Sequence, residues 1–313
     1  MISIYKSLDT STILQSVDSV QPGCWINIVA PSDQDLLIVS KKTGVSMEFL
    51  KAALDEEETS RIDIEDNNLL VIVDIPFTEM EDNSLTYDSY PLAIIHTESS
   101  IITVCLKNSK ILTDFIDGKV KSFFTFKRSR FILQILYRIA SYYLIYLRQI
   151  DKKSVMIERK LHRSLRNKEL IQLLSLEKSL VYFSTSLKSN EITLEKMLKL
   201  ELLKKYPEDQ DILEDVIIEN KQAIEMATIY SNILTGTMDA FASVISNNLN
   251  IVMKLLASVT IVMSIPNIIF NSFAMNVGGI PFASHPSGFW FVYSIAIGIS
   301  IIAIFILRRK NLF

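Results

Sequence analysis

The chain reads as an α+β membrane protein, with an N-terminal α/β cytosolic domain, a long helical stalk and two C-terminal transmembrane helices. Three observations predict this. From Leu255 to Leu307 there is no Asp, Glu, Lys or Arg, although 21% of the 313 residues are charged. That stretch contains two apolar runs, Leu255–Phe273 and Phe289–Leu307. Each is about 19 residues, close to the ~20 that a helix needs to cross ~30 Å of hydrocarbon. Upstream, short β-branched runs fill residues 1–125, and then glycine vanishes from Lys119 to Thr235 as the pattern turns helical. The expected segments are 1–125, the α/β domain; 126–208, long cytosolic helices; 209–273, a stalk helix continuing into the first span; 274–288, an outer loop; 289–307, the second span; and 308–313, a basic tail.

In the α/β domain the strand candidates are Cys24–Val29, Leu69–Ile75, Pro91–His96 and Ile101–Leu106, all rich in β-branched residues. The helix candidates are Asp33–Thr43, Met47–Ala53 and Lys110–Phe115. Ser32 and Asp33 supply an N-cap signal and Gly44 a stop. A domain of this size buries a core of its own. The run Asp55-Glu56-Glu57-Glu58 reads as a solvated loop. Cys24 and Cys105 sit in apolar surroundings and read as reduced core residues of a cytosolic compartment.

Phe131–Ile150 is apolar enough to imitate a third span, but Gln134, Arg138 and Arg148 interrupt it, and Arg138 would lie near mid-bilayer. It is expected as an amphipathic helix against the α/β domain. A second helix is expected over about 168–205, broken by Tyr206-Pro207-Glu208-Asp209. From Asp209 the pattern runs without a stop to Phe273. A single helix of about 60 residues would span about 90 Å at 1.5 Å per residue, joining the cytosolic domain to the membrane. Gly236 inside it costs near ~1 kcal/mol.

The first span carries a polar stripe. Asn250, Met253, Ala257, Thr260, Ser264, Asn267 and Asn271 follow one another at alternating steps of three and four, which places them in one narrow line along a helix. Two asparagines deep in an apolar helix are costly unless solvated. Either the stripe is a helix-packing seam with interhelical hydrogen bonds, or it faces a water-filled axis in a symmetric oligomer. Two spans cannot enclose a pore, so the second reading requires several subunits. Pro266 frees a carbonyl one turn earlier. The second span has no stripe. Phe289, Trp290 and Tyr293 suit an interfacial belt at its outer end.

The flanks orient both spans. Arg308, Arg309 and Lys310 follow the second span and Lys254 enters the first, so a basic ring is expected on the cytosolic side. Residues 1–15 lack a leader pattern. Both termini are therefore expected in the cytoplasm of a multi-pass protein of the cell membrane. Charge is uneven: residues 1–125 sum to −11, 126–170 to +9, 171–254 to −4, and the tail to +3. The basic block Lys152–Lys168 suits anionic lipid, a neighbour's acidic domain, or a solvated helix face. It lacks the aromatic interleaving of a nucleic-acid surface. His96, His162 and His285 are scattered, and no phosphate loop, CxxC or HExxH is present, so no enzyme is indicated.

The run Asn250-Ile-Val-Met253-Lys254, the proline-containing span, Ala274-Met275-Asn276 and a second span ending in a basic cluster together resemble the CorA family of magnesium transporters. Trp25 to Asp33 and Tyr90 to Ile95 look like segments of that family's cytosolic domain. The family signature is Gly-Met-Asn, so Ala274 replaces its first glycine. The resemblance implies a homopentamer in the lipid bilayer that conducts Mg²⁺. It implies first capture at Asn276 beside Met275, and closure when cytosolic Mg²⁺ bridges acidic groups of neighbouring subunits. Asp215 matches the helical acidic position, and Glu79, with Glu81 nearby, is the nearest partner candidate.

The stripe fits that chemistry. Mg²⁺ dehydrates reluctantly, and the neutral groups of Asn250, Thr260, Ser264, Asn267 and Asn271 suit a hydrated ion. Met253 and Leu256 would form an apolar constriction that gates by dewetting. Val277-Gly278-Gly279-Ile280-Pro281 resembles the zinc-transporting branch, so Zn²⁺, Co²⁺ or Ni²⁺ transport is an alternative. A membrane-tethered scaffold without conduction is another, although a tether needs no polar stripe.

Overall fold

The computed structural model describes residues 1–8, 11–81, 84–164, 167–200, 207–275, 278–281 and 285–310. It divides into two compact units, Met1–Gly236 and Thr237–Phe313.

The first unit is built on a seven-stranded sheet. In chain order the strands are β1 (Ile2–Leu8), β2 (Ser11–Ser16), β3 (Trp25–Val29), β4 (Arg61–Glu65), β5 (Asn68–Glu81), β6 (Ser84–His96) and β7 (Ile101–Cys105). Their spatial order is β2-β1-β3-β7-β6-β5-β4. Only β3 and β7 pair in parallel; the other neighbours are antiparallel. The four expected strands are all present. The sheet is larger than they imply, because β1, β2, β4 and the outer halves of β5 and β6 extend it.

Both faces of the central strands are covered, which is why they read as continuous apolar runs rather than alternating ones. Alternate residues of a strand point to opposite faces. Ile26, Ile28, Leu70, Ile72, Ile95 and Val104 face one way, packed with Leu36, Val39, Phe49 and Leu50. The latter come from α1 (Asp33–Thr43) and α2 (Met47–Lys51), followed by one 3-10 turn over Ala52–Leu54. Trp25 faces the other way, into an aromatic cluster with Phe115, Phe123 and Phe131 at ring distances of 5.2–6.4 Å. Phe115 lies on α3 (Lys110–Ile116) and Phe131 on α4 (Arg128–Ser164).

Helix α1 begins and ends where its capping residues dictate. Ser32 and Asp35 form a reciprocal capping box, and Gly44 closes the helix at φ 74°, in the left-handed region. The acidic loop is held locally: the Asp55 carboxylate accepts from the Glu57 N–H, and Glu58 pairs with Arg61.

Helix α4 has 37 residues and absorbs the apolar run Phe131–Ile150 into the core. Arg138 is no intramembrane charge. It pairs with buried Asp114 on α3, which also takes bonds from Tyr142 (2.7 Å) and Lys119 (3.1 Å). Helix α5 (Asn167–Met197) stops earlier than the expected 205, followed by a tight turn to Leu200. Helix α6 then runs as one element of 67 residues, Pro207–Phe273, through Gly236 and Pro266. At its start, Arg130 of α4 bonds Asp209 (2.8 Å) and Glu208.

The second unit holds the end of α6 and α7 (Gly288–Arg309). Among the described residues, α6 and α7 are the two helices long and apolar enough to cross a membrane. Phe270 stacks on Tyr293 at 6.3 Å and 8°, tying the end of α6 to the first turns of α7.

Candidate ion pathway

The polar stripe is positioned by how α6 meets α7. Val292 and Ala296 are buried on α7, and Ser300 and Ala303 are half-buried, one face at helical spacing. On α6, Ser258 is buried and Val262, Ile265 and Ile269 are half-buried. These residues recur at steps of four, three and four, the face that meets α7. With 3.6 residues per turn, Met253, Thr260, Asn267 and Asn271 fall on roughly the opposite side and Asn250 about a quarter turn from the α7 face. All five are exposed, and Ser264 is half-buried at the stripe's edge. The packing partner within the chain therefore leaves the stripe uncovered.

Hydrogen bonding sorts the stripe into two kinds of group. The Thr260 hydroxyl donates to the Leu256 carbonyl and the Ser264 hydroxyl to the Thr260 carbonyl, each at 2.8 Å. Their donors are used within the helix, and lone pairs remain to accept. The carboxamides of Asn250, Asn267 and Asn271 take no hydrogen bond from another described residue. They offer oxygens and N–H groups outward along the line. Met253 and Leu256 are 54% and 58% exposed on the same side, an apolar collar one to two turns below Thr260.

At the C-terminal end of α6, the Ala274 N–H is shared between the Phe270 (3.0 Å) and Asn271 (3.2 Å) carbonyls. Met275 is exposed just beyond. Asn276 lies outside the described residues, so its place in the outer turn is not part of this geometry. Among described non-glycine residues the positive-φ positions are Ala30, Asp66, Asn67 and Ser122. Ala274 is not one of them, so alanine there carries no left-handed strain. Among the described residues of this loop, Gly279 is in the left-handed region, at φ 90°. Further along, the His285 Nδ1 accepts from the Ser287 N–H at 3.4 Å. Toward the other end of the hairpin Lys254 is exposed, and Arg308 and Arg309 complete the last turn of α7. The Lys310 N–H caps the helix on the Ile306 and Leu307 carbonyls.

The two carboxylates expected to bind regulatory Mg²⁺ are not brought together within one chain. Asp215 is exposed on α6. Glu79, on β5, bonds the Lys107 ammonium at 3.1 Å, and that ammonium lies 4.5 Å from the Phe77 ring centroid. The side chain of Glu81 lies outside the described residues. Among the described residues no three His, Cys, Asp or Glu side chains cluster as a metal site.

Sequence reasoning missed one buried polar centre, on β5. The Asp74 backbone exchanges hydrogen bonds with the Asn190 carboxamide of α5, both at 2.8 Å, and its carbonyl accepts from the Tyr143 hydroxyl at 3.2 Å. Burial raises the Asp74 carboxyl to about 6, partly offset by a bond from Ser186. The signal was a lone carboxylate in the apolar run Leu69–Ile75. His96 is buried as expected of a structural residue; burial, helped by the Arg128 charge, lowers it to about 4. Cys24 and Cys105 are free, buried thiols, and burial pushes Cys105 up to about 12.

Residues 21–309 match the family described as CorA-like Mg²⁺ transporter protein. The chain belongs to this family. Among CorA relatives, the cobalt/magnesium transport protein CorA of Methanocaldococcus jannaschii is 28% identical over 301 residues, covering 92% of this chain and 90% of the relative. The complete structure of the CorA magnesium transporter from that organism matches with a TM-score of 0.85 at 26% identity, covering 100% of this chain and 99% of that one. The cytoplasmic domain of ZntB from Vibrio parahaemolyticus matches 79% of this chain and 96% of its own at a TM-score of 0.57. At 12% identity that likeness concerns the fold alone. The CorA-family fold, an α/β domain, a long helix and two apolar C-terminal helices, thus accounts for the whole chain.

Proposed function

We propose that the chain forms a homopentameric channel through which Mg²⁺ enters passively, with Co²⁺ as a second cargo. One observation carries this reading: the Asn/Thr/Ser line of α6 lies opposite the face that packs on α7. A packing seam within the hairpin would lie on the α7 side. Copies arranged around an axis would turn the line inward, where carboxamide and hydroxyl oxygens hold the waters of a hydrated cation without stripping it. Asn276 and Met275 form the outer mouth, and Met253 and Leu256 form a dewetting gate. Lys254, Arg308, Arg309 and Lys310 ring the cytosolic side. The membrane potential supplies about 2.3 kcal/mol per charge per 100 mV, enough to draw in a divalent cation without ATP. Cytosolic Mg²⁺ closes the channel by bridging Asp215 and Glu79 of neighbouring copies.

The names of the Methanocaldococcus relatives support Mg²⁺ and Co²⁺ as cargo. The test is flux into proteoliposomes with Mg²⁺, Co²⁺, Ni²⁺ and Zn²⁺ side by side under an inside-negative potential. Mg²⁺ uptake that follows the potential is the expected result. Zn²⁺ uptake without Mg²⁺ uptake would move the assignment to a zinc transporter. Absence of flux for all four ions, with the oligomer intact, would leave a membrane-tethered scaffold.

A further inference from the structure

The seam between α6 and α7 changes character along its length. Over most of α7 the residues facing α6 are small: Ala296, Ser300 and Ala303. The Ser300 hydroxyl donates to the Ala296 carbonyl at 2.8 Å, within its own helix. Small residues let two helix backbones approach closely in a membrane. In its first turns α7 is aromatic instead. Phe289 and Tyr293 stand one turn apart, with ring centroids 6.1 Å apart and planes at 13°. Phe270, in the last turn of α6, lies against Tyr293 at 6.3 Å and 8°. Tyr293 thus stacks with a ring of its own helix and with one of the neighbouring helix. Trp290 meets Phe289 and Tyr293 edge-on, at 81° and 87°. Offset stacks and edge-to-face contacts are the arrangements that aromatic quadrupoles favour. The two rings that join the helices are the less exposed, Phe270 at 40% and Tyr293 at 41%, against 70% for Phe289 and 67% for Trp290.

Phe270 sits where such a contact has consequences. Its carbonyl accepts the Ala274 N–H at 3.0 Å. The next residue is Asn271, the last carboxamide of the polar line, whose carbonyl accepts the same N–H at 3.2 Å. The final turn of a helix has carbonyls without intrahelical partners and frays first. A ring held against α7 fixes the rotation of that turn. It thereby fixes the direction of the Asn271 side chain and the departure of the chain at Ala274 and Met275.

We propose that Tyr293 is a positioning residue for cation capture: by stacking on Phe270 it holds the Asn271 carboxamide in the orientation that receives a hydrated divalent cation. This rests on the reading of the polar line as an ion pathway. The Tyr293 ring acts through Phe270 and the last turn of α6, not on the ion. One aromatic pair shifts the population of the held orientation by about two- to tenfold. The other role open to aromatic residues at the end of a span is an interfacial belt. That role uses the tyrosine hydroxyl as its wet end, whereas the stack uses only the ring.

Two measurements on the full chain test this. In proteoliposomes, Tyr293→Ala should raise the Mg²⁺ concentration for half-maximal uptake by about two- to tenfold and leave the maximal rate within about twofold. Tyr293→Phe should match the wild type. Phe270→Leu, which keeps an apolar side chain, should reproduce Tyr293→Ala, and the double variant should be no worse than either, because both remove one contact. Phe305→Ala, 67% exposed toward the other end of α7, should change nothing. The second measurement needs no flux: hydrogen exchange of the same proteins in nanodiscs. Exchange over residues 270–274 should be several-fold faster in Tyr293→Ala and Phe270→Leu, with 258–262 unchanged. Wild-type half-saturation in Tyr293→Ala would overturn the proposal alone, as would a fall confined to the maximal rate. Tyr293→Phe behaving like Tyr293→Ala would assign an interfacial anchor, which also overturns it. No uptake by the wild type would overturn the pathway reading and the capture role together, even if the exchange pattern showed the stack.

Discussion

Replacing Asp74 by Asn should stabilise the first unit, and only at the pH values where the carboxyl is ionised. Asp74 titrates at about 6 in the folded chain, against 3.8 for the free side chain. The folded state therefore favours the neutral acid. That contribution is fully present below pH 3.8 and is lost as pH rises through about 6. The shift is about two pKa units, and at about 1.36 kcal/mol per unit the ionised carboxylate costs about 3 kcal/mol at neutral pH. Asn keeps an acceptor for Ser186 and removes the charge, and the backbone bonds to Asn190 need no side chain. Trp25 is fully buried in the sheet and Trp290 lies on α7, so a Trp290→Phe background leaves one reporter for the first unit. Denaturant unfolding of the full chain, followed by Trp25 fluorescence, should show Asp74→Asn raising stability by up to about 3 kcal/mol at pH 8. Near pH 4 it should change little. His96, held at about 4, acts oppositely, since its contribution is lost as pH falls below its unfolded value. It is common to both proteins and cancels in their difference. A gain equal at both pH values, or a loss at pH 8, would refute the desolvation account of Asp74.

Three further outcomes test the pathway. Asn267→Leu should cut divalent flux about tenfold or more, a barrier increase of about 1.4 kcal/mol, with assembly intact by size-exclusion chromatography; unchanged flux would make the stripe a packing seam. Asn276→Ala should abolish or greatly weaken uptake in the proteoliposome assay, whereas Ala274→Gly should be tolerated, because Ala274 needs no glycine geometry. Loss of uptake in Ala274→Gly would mean that the outer turn differs from the family's. Asp215→Ala should raise the Mg²⁺ concentration needed for closure several-fold and weaken Mg²⁺ protection against protease, leaving conduction unchanged. Identical inhibition curves for wild type and Glu79→Ala/Asp215→Ala would dismiss both residues from regulation.

Much of the fold was legible because its signals are local. Ser32, Asp33 and Gly44 mark both ends of α1 within about a dozen residues, and uncharged runs mark the spans. Arg138 excluded a third span by the cost of a mid-bilayer charge, and the structure supplies its partner, Asp114. The strands that escaped notice lack such signals. Ile2–Leu8 alternates apolar and polar residues only partly, and β4, Arg-Ile-Asp-Ile-Glu, is an edge strand with two carboxylates. Both depend on pairing with residues distant in sequence: Ile2 with Ile28, and Arg61 with Ile72. Short strands are stabilised by such neighbours more than by their own propensity. Helix α5 likewise stops at Met197 although the residues beyond are good helix formers.

The candidate pathway was legible as a line but not as a direction. Heptad spacing places Thr260, Ser264, Asn267 and Asn271 on one side of a helix whatever surrounds it. A packing seam and a water-facing stripe have the same spacing, so the sequence left both open. The placement of Ser258, Val262, Ile265 and Ile269 against α7 excludes a seam within the hairpin, because a helix presents only one face to a single antiparallel partner; a seam between copies and a water-filled axis both leave the line uncovered. What remains exposed is a line of carboxamides among bilayer-length apolar surface, a costly arrangement for a lone hairpin in lipid. The regulatory pair was harder to read for a related reason. Asp215 lies exposed on α6 and Glu79 on β5, and Glu79 is already paired with Lys107. A cation bridging them between copies would have to displace that ammonium, so the bridge depends on the oligomer, as the uncovered stripe does.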